Sequence, residues 1–519
     1  MKKQLLFLIL ILSVYFVNAQ IHVGPSLTYT SLSNAVNAGV VHAGDTVYLH
    51  AGTYNDNGAD SLGGTYSHWI TIRPYQNDSV KIVTQWTITN ATYVKFYGLN
   101  FIGNDSAAWT NGTVYHQLFF NYNYACFTTL SNIIVDHCHF MKLLTGPNQY
   151  TTTNTAGNVS MKFTGTDTFQ VTNCLFRGNA GSEGLSMNGD RNGIVKNNRF
   201  DPPAVGFGGW ASHCKGGSSK ITFEQNLYIN WSLGGMDIGG STGASFFCPL
   251  SYASIYEADS INFCSNITIG GQTCIRLASL SNSNIINNTC FKSNDFTVRL
   301  LVEDANVQFV NNKIYNNIFT IANTSNGFYI NETGGWPYNT FLFYNNLFYS
   351  YSNPTMGLSS IYQDVGSTNP AVISGSVFGD PMFTDTTNMN FSLKAGSPAI
   401  GAGLNVPFPT TDYNGSLFNA SARSIGAIEY DVGGVKDYED ANDITIYPNP
   451  STGVFNVSWS GAGAIQTIKV FNAVGQLVHA EKPDNYSVKI NLSGFSKGIY
   501  KVVFITNKEN ISTRTLVVK

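Results

Sequence analysis

The chain has 519 residues, enough for two or three domains, with 50 glycines and only 11% charged residues. Its 34 phenylalanines and 28 tyrosines complete a turn-rich, all-β composition that excludes a disordered chain or a coiled coil. A net charge of −3 leaves nucleic-acid binding without electrostatic support.

Residues 1–19 read as a secretory signal, with Lys2 and Lys3 ahead of an apolar stretch from Leu5 to Val17 and Val17-Asn18-Ala19 before Gln20. No later segment has the apolar length of a membrane-spanning helix. Export permits disulfides, and the cysteines at 126, 138, 174, 214, 248, 264, 274 and 290 are even in number. No zinc spacing occurs among them. Mostly free, buried thiols are expected, with Cys264/Cys274 or Cys248/Cys264 as alternative pairs.

Residues 20 to about 75 run through Gly24-Pro25, Thr30-Ser31-Leu32, Ala35-Val36, Gly44-Asp45-Thr46-Val47 and Gly52-Thr53-Tyr54, with an early strand expected at Trp69–Pro74. This series resembles the N-terminal region of secreted right-handed β-helix proteins, lyases of uronate polysaccharides among them. The resemblance implies a short helix covering the open end of a solenoid, whose first strand is otherwise an unpaired edge.

The middle of the chain repeats one phrase: an apolar residue, two more, Asn or Cys, one more, then an aromatic or apolar residue. It reads Val135-Asp136-His137-Cys138-His139-Phe140, Val171-Thr172-Asn173-Cys174-Leu175-Phe176 and Val195-Lys196-Asn197-Asn198-Arg199-Phe200. It continues at Phe223…Asn226…Tyr228, Phe263…Asn266, Ile285…Asn288…Cys290, Phe309…Asn312…Ile314 and Phe343…Asn346…Phe348. Such spacing without a helical pattern predicts a solenoid. Each unit is a short strand and a polar turn that buries its apolar face only against its neighbours. Asn suits the turn, and stacked Asn side chains form a hydrogen-bonded ladder. Cys138 and Cys174 are expected to fill the same position as small buried groups. The fold class is therefore all-β: a right-handed parallel β-helix over residues 20–430, then a small C-terminal β-sandwich domain.

Alternate strand residues point outward, so equivalent positions form rows along the solenoid. Counting back from the ladder gives one row: Lys162 and Thr164, Ser186 and Asn188, His213 and Lys215, Asp237, Arg276 and Arg299. In a chain so poor in charge, that row is the candidate site. Around it stand Lys215-Gly216-Gly217, Gly239-Gly240-Ser241-Thr242-Gly243, Glu257-Ala258 and Arg299…Glu303, a series similar to that of a widespread group of secreted β-helix repeat proteins. That similarity supports the scaffold more than a reaction.

Residues 380–430 resemble the exit region of the same β-helix proteins, through Asp380-Pro381, Gly396-Ser397-Pro398-Ala399, Asp412 with Gly415, and Ile425-Gly426-Ala427-Ile428-Glu429-Tyr430. Residues 431–442 form a polar, acidic linker. Residues 443–519 run through Tyr447-Pro448-Asn449-Pro450, Gly453-Val454-Phe455, Ile468–Asn472, Gly475-Gln476-Leu477-Val478, Gly498-Ile499-Tyr500 and Leu516–Lys519. They resemble the C-terminal sorting domain of the type IX secretion system of Bacteroidetes. The resemblance implies the type IX machinery as partner and a secreted or outer-membrane surface-attached location. A monomer is expected.

Lyases of the β-helix fold remove a proton beside a sugar carboxylate. They need a base and positive charge for the intermediate. Lys215, flanked by His213, is the expected base; Arg276 and Arg299 are expected to grip the carboxylate. Asp237, Glu257 and Glu303 are the candidate calcium ligands, without the acidic cluster that calcium-dependent pectate lyases carry. The favoured function is β-elimination on a uronate-containing extracellular polysaccharide. A non-catalytic glycan-binding or adhesive surface protein is the alternative, and a hydrolase pairing Asp237 with Glu257 or Glu303 is a further one. Competing bland readings are a solvated Lys215 and a surface Arg299–Glu303 pair. Asp190-Arg191 is expected to serve its turn, and His137 and His139 lack further metal ligands. Trp109, Trp210, Trp231 and Trp336 are candidates for sugar stacking.

Overall fold

The computed structural model describes residues 19–519 apart from 104–115, 122–125, 143–158, 178–182, 203–208, 254, 303–308, 323–328, 333–337, 358–361, 365–369, 432–443, 460–464, 484–486 and 507–510. The chain divides into two compact units, one ending at Tyr430 and the other beginning at Asp431.

The first unit is a parallel β-helix of three sheets, with 16, 12 and 10 strands. One coil shows the plan. Asp167–Thr172 lies in the 16-stranded sheet, Leu175–Arg177 in the 12-stranded sheet and Glu183–Asn188 in the 10-stranded sheet. Arg191–Lys196 then opens the next coil beside the first, with Asp167 opposite Arg191 and Val171 opposite Val195. Inward residues of that coil, Phe169, Val171, Phe176, Leu185 and Met187, are fully buried. Outward ones alternate with them, as the period of two requires.

The turn between the 16- and 12-stranded sheets explains the repeated phrase. The residue before each ladder position takes a left-handed conformation: Asn173, Asn197, Gln225, Asn287, Asn316 and Asn345 all have φ between 51° and 58°. The ladder residue itself is buried. Asn198, Asn226, Asn266, Asn288, Asn317 and Asn346 pass Nδ2–H to the next Oδ1 at 2.9–3.1 Å. The ladder residue after Asn288 is thus Asn317, and Asn312 is not part of this ladder. Asn312 serves the opposite turn, where its Oδ1 accepts from Ser283 N–H at 3.1 Å. The apolar-x-x-Asn spacing, here Phe309…Asn312, fits two of the turns of this coil, and only strand pairing separates them. Cys138 and Cys174 are buried and free, as expected of small fillers. Behind the turn, Phe101, Phe140, Phe176, Phe200 and Tyr228 stack face to face with centroids 4.5–5.0 Å apart. Each ring covers the apolar face that the previous coil leaves open.

At the N-terminus the helix Leu32–Asn37 is capped by Ser31, whose Oγ accepts from Asn34 N–H. Its Leu32 and Ala35 close the core. The expected early strand is present as Ile70–Pro74.

Residues 380–430 form a strap rather than a simple exit. They run back along the outer face of the 12-stranded sheet, where Ile229, Ile267, Phe291, Ile318 and Leu347 pack against Phe391, Ala399, Ile425 and Ala427 in a second core. Polar locks fix the strap: Gln225 Nε2 donates to the Asp412 carbonyl at 2.6 Å, and Arg423 Nε to Asn287 Oδ1 at 2.8 Å.

The disulfides differ from expectation. Cys126 bonds Cys248, and Cys274 bonds Cys290; Cys264 is free and buried, so neither alternative pair forms. Cys126 and Cys248 are 122 residues apart, brought together by a loop folded back over earlier coils.

The second unit packs a three-stranded antiparallel sheet (Ile444–Tyr447, Val454–Trp459, Ser487–Asn491) and a four-stranded one (Leu477–Glu481, Ile465–Phe471, Gly498–Thr506, Ile511–Val518) around its own core, which includes Phe455, Ile468, Val502 and Leu516.

Candidate functional site

Strand register sets the expected row. Lys162 pairs with Ser186, Ser186 with His213, His213 with Asp237, Asp237 with Arg276, Arg276 with Arg299 and Arg299 with Asn331. Thr164, Asn188 and Lys215 form the adjacent row. All stand on the 10-stranded sheet. Neighbouring strands are about 4.8 Å apart, so the row runs along the solenoid axis as a continuous polar line.

Its centre is a chain of charges. His213 Nδ1 lies 2.8 Å from Glu183 Oε1; Nε2 lies 2.8 Å from the Gly239 carbonyl and 3.1 Å from Asp237 Oδ2. Both ring nitrogens therefore face acceptors, and the imidazole is held as the doubly protonated cation. Burial acts to lower its pKa, but Asp237 and Glu183 outweigh burial and raise it. Burial likewise acts to raise the Glu183 carboxyl, and His213 and Lys215 overcome it and hold that group well below the usual carboxylate range. Asp237, fully buried, also receives Arg276: Nε at 2.7 Å on Oδ1, and a terminal nitrogen on Oδ2. The Arg276 guanidinium lies 5.3 Å from the centre of the Trp210 ring. His213, expected beside the base, is thus a positioning group with no nitrogen left to accept a proton. Arg299 Nε donates to Asn331 Oδ1 at 3.2 Å.

Beside this chain opens a cleft of about 490 Å³, lined by Lys162, Lys215, Glu183, Ser186, Thr242 and Phe246 among others. Lys162 had a place in the row but no assigned role, and Glu183 carried no sequence signal beyond its position at a strand start. Burial pushes the Lys162 ammonium below the ordinary lysine value and Lys215 adds to this, against the pull of Glu183. The turn after Lys215 needs glycine. Gly216 has φ +63°, and a Cβ there would lie 2.2 Å from Asn188 Oδ1.

One wall of the cleft is the long insertion after strand Gly234–Gly239. Glu257 fastens it: Oε1 accepts Thr242 N–H at 2.6 Å, and Oε2 accepts Gly216 N–H at 2.8 Å and the Thr242 hydroxyl at 2.7 Å. The Cys126–Cys248 bond fastens it again.

These engagements bear on the candidate metal ligands. Both Asp237 oxygens face a guanidinium or an imidazolium, and both Glu257 oxygens accept protein hydrogen bonds. A calcium ion needs six to eight oxygen donors and is repelled by adjacent cations, so this pair does not fit one. Glu303 lies outside the described residues. Among the described residues no group of three or more His, Cys, Asp or Glu side chains is placed to hold a metal. The same engagements leave Asp237 and Glu257 unsuited to act as a hydrolytic acid–base pair.

Of the remaining candidates, those among the described residues are engaged within the fold. Asp190 is buried and accepts from Thr166 N–H at 2.7 Å and Asn188 N–H at 2.8 Å; burial, only partly offset by these bonds, raises its pKa to about 7. Arg191 pairs with Asp167 at 2.8 Å. His137 bonds Asp136 at 2.7 Å in a turn. Trp231 is buried, and Trp109 and Trp336 lie outside the described residues.

Residues 445–519 match the family of secretion system C-terminal sorting domains. The chain carries a type IX sorting domain. That domain directs the chain to the cell surface or the medium through the type IX machinery. Among the described residues no helix is long and apolar enough to cross a membrane. The chain is 28% identical over 83 residues to an ulvan lyase of Nonlabens ulvanivorans, a match spanning 16% of this chain and 15% of that relative's length. Among solved structures, an alginate lyase of Paenibacillus is 12% identical, with 67% of this chain and 96% of that one covered at a TM-score of 0.35. A rhamnogalacturonan lyase is 10% identical, with 80% and 96% covered at 0.40. A surface adhesin of Streptococcus pneumoniae is 10% identical, with 61% and 80% covered at 0.34. Substrate and reaction therefore rest on the side chains of the cleft.

Proposed function

We propose that the β-helix is a carbohydrate-active enzyme that cleaves an anionic, uronate-containing polysaccharide by β-elimination. The observation that carries this reading is the lysine pair in the cleft: Lys162, half-buried with a lowered pKa, beside Lys215. A neutral amine accepts a proton, and a neighbouring ammonium neutralises a sugar carboxylate. In this reading Lys162 takes the proton from the carbon bearing the carboxylate. Lys215 stabilises the charge that develops on the carboxylate oxygens. The electron pair left on carbon forms the new double bond as the adjacent glycosidic C–O bond breaks, the leaving oxygen takes a proton from water, and Lys162 returns its proton to solvent. The Glu183–His213–Asp237–Arg276 chain fixes the floor and keeps its charges balanced without entering the reaction. The short match to an ulvan lyase is in keeping with this class.

The test uses the purified protein with alginate, pectate, glycosaminoglycans and neutral glycans. Ultraviolet absorbance reports unsaturated uronate and a reducing-end assay reports hydrolysis. The expected result is unsaturated product from an acidic polymer, with kcat falling at least 100-fold in Lys162→Ala, and with kcat falling and KM rising in Lys215→Ala. Reducing ends without unsaturation would replace elimination by hydrolysis. Binding without product would favour a non-catalytic glycan-binding protein, a reading supported by the commitment of Arg276 to Asp237 and of Arg299 to Asn331.

A further inference from the structure

The insertion that walls the cleft carries an unusual residue. Phe246 is 56% exposed, in a chain that buries most of its phenylalanines, and it lines the cleft together with Lys162 and Lys215. Exposed aromatic rings are common on mobile loops. This one sits on a segment fastened on every side. The Phe246 carbonyl accepts Asn188 Nδ2–H at 2.7 Å, from the strand that lines the cleft floor. The Phe246 N–H donates to the Gly243 carbonyl at 2.8 Å, closing the 3₁₀ turn Ala244–Phe246. Two residues on, Cys248 is bonded to Cys126. Four residues before Phe246, Thr242 is held by both oxygens of Glu257. The ring lies against Gly243, where a Cβ would come within 3.3 Å of it. The molecule thus holds one side of an aromatic ring against its own backbone and leaves much of the rest open to water in the cleft that Lys162 and Lys215 line.

We infer that Phe246 is a sugar-stacking platform that sets specificity in the cleft. This inference rests on the proposed reading of the cleft as a site for an anionic polysaccharide. The chemistry is complementary to that of the lysines. A pyranose ring presents a face of C–H groups that packs on an aromatic face, whereas its carboxylate seeks a cation. A ring fixed at the rim of a cationic cleft therefore reads two neighbouring sugars of one chain: an anionic residue at Lys162 and Lys215, and an adjoining pyranose, charged or not, on Phe246. Because the platform is ordered before the ligand arrives, stacking costs no loop entropy on binding. The ligand class follows as an anionic oligosaccharide of at least two residues, and single uronate sugars are predicted to gain nothing from Phe246.

The experiment compares wild type with Phe246→Ala, Phe246→Trp and Gly243→Val on alginate and pectate, on size-graded oligomers of each, and on free glucuronate and galacturonate. The expected result for Phe246→Ala is a KM or Kd about ten-fold higher for oligomers, kcat within about two-fold, and unchanged binding of the monosaccharides. Phe246→Trp restores oligomer affinity, and Gly243→Val, which displaces the ring, reproduces the alanine defect. An unchanged melting temperature in Phe246→Ala excludes misfolding as the cause. A wild type active on an acidic polymer with Phe246→Ala equal to it at every oligomer length would overturn the platform and leave the reading of the cleft intact. A wild type that neither binds nor cleaves any acidic polymer would overturn the reading of the cleft, and the platform with it.

Discussion

Lys162 and Lys215 sit on strands two coils apart, and the chemistry proposed for them depends on the proton that one of them gives up. Because burial and its neighbour lower the Lys162 pKa, the rate is expected to rise with pH along a limb centred below the ordinary lysine value of 10.5. Replacing Lys215 by Ala removes a cation that lowers this pKa, so the limb moves to higher pH. A pH–rate profile of both proteins checks the direction. His213 makes a separate prediction about stability. Its folded pKa lies above the ordinary 6.5, so its contribution is fully present below that value and is lost as pH rises through the folded pKa. Glu183 has the opposite sign: its contribution is present above its ordinary 4.5 and is lost as pH falls through the depressed folded value. His213→Gln removes the buried cation between two carboxylates and is expected to cost about 3–5 kcal/mol. Denaturant midpoints measured from mildly acidic to alkaline pH should show the gap between the two proteins narrowing as pH rises.

At the scale of the element, the asparagine turn divides its labour between adjacent residues. Asn266 accepts from Asn226 N–H and Nδ2–H at 2.9 and 3.0 Å and donates to the Phe223 carbonyl and to Asn288 at 2.9 and 3.1 Å. Asn266→Ala strands those buried partners and is expected to destabilise by about 3 kcal/mol or more, read from urea midpoints. Asn197, one position before the ladder, is needed only for its φ of +56°. Asn197→Gly should be neutral to within about 0.5 kcal/mol, and Asn197→Val should cost about 1–2 kcal/mol. The contrast separates a hydrogen-bonding role at the ladder position from a backbone role at the position before it.

At the scale of the whole molecule, loops from distant coils build the cleft wall. The Cys126–Cys248 bond closes a separation of 122 residues around the coils that carry Lys162 and Lys215. Replacing both cysteines by serine is expected to lower stability by about 2–4 kcal/mol. It should also expose residues 241–257 to limited proteolysis before the coils themselves are cut. Equal cleavage rates in the two proteins would show that the Glu257 hydrogen bonds hold the wall unaided. On the opposite flank, the strap of residues 380–430 covers outward apolar residues of the 12-stranded sheet, so its removal would leave Ile267, Phe291 and Leu347 in water.

The sequence by itself determined the coil. Each unit repeats a local instruction, alternation followed by a left-handed turn and a buried Asn, and stacking multiplies it, so the solenoid and the row from Lys162 to Arg299 could be counted out along the chain. It was misleading at Asn312, where the same residue type serves the opposite turn. The tertiary structure alone decided what the row means. Glu183 meets His213 across 30 residues, Glu257 meets Gly216 across 41, Cys126 meets Cys248, and the strap returns to Gln225 across 187. These contacts arise where loops of unequal length fold back over a regular scaffold. A loop's path depends on the surface it lands on, and no repeat period encodes that surface.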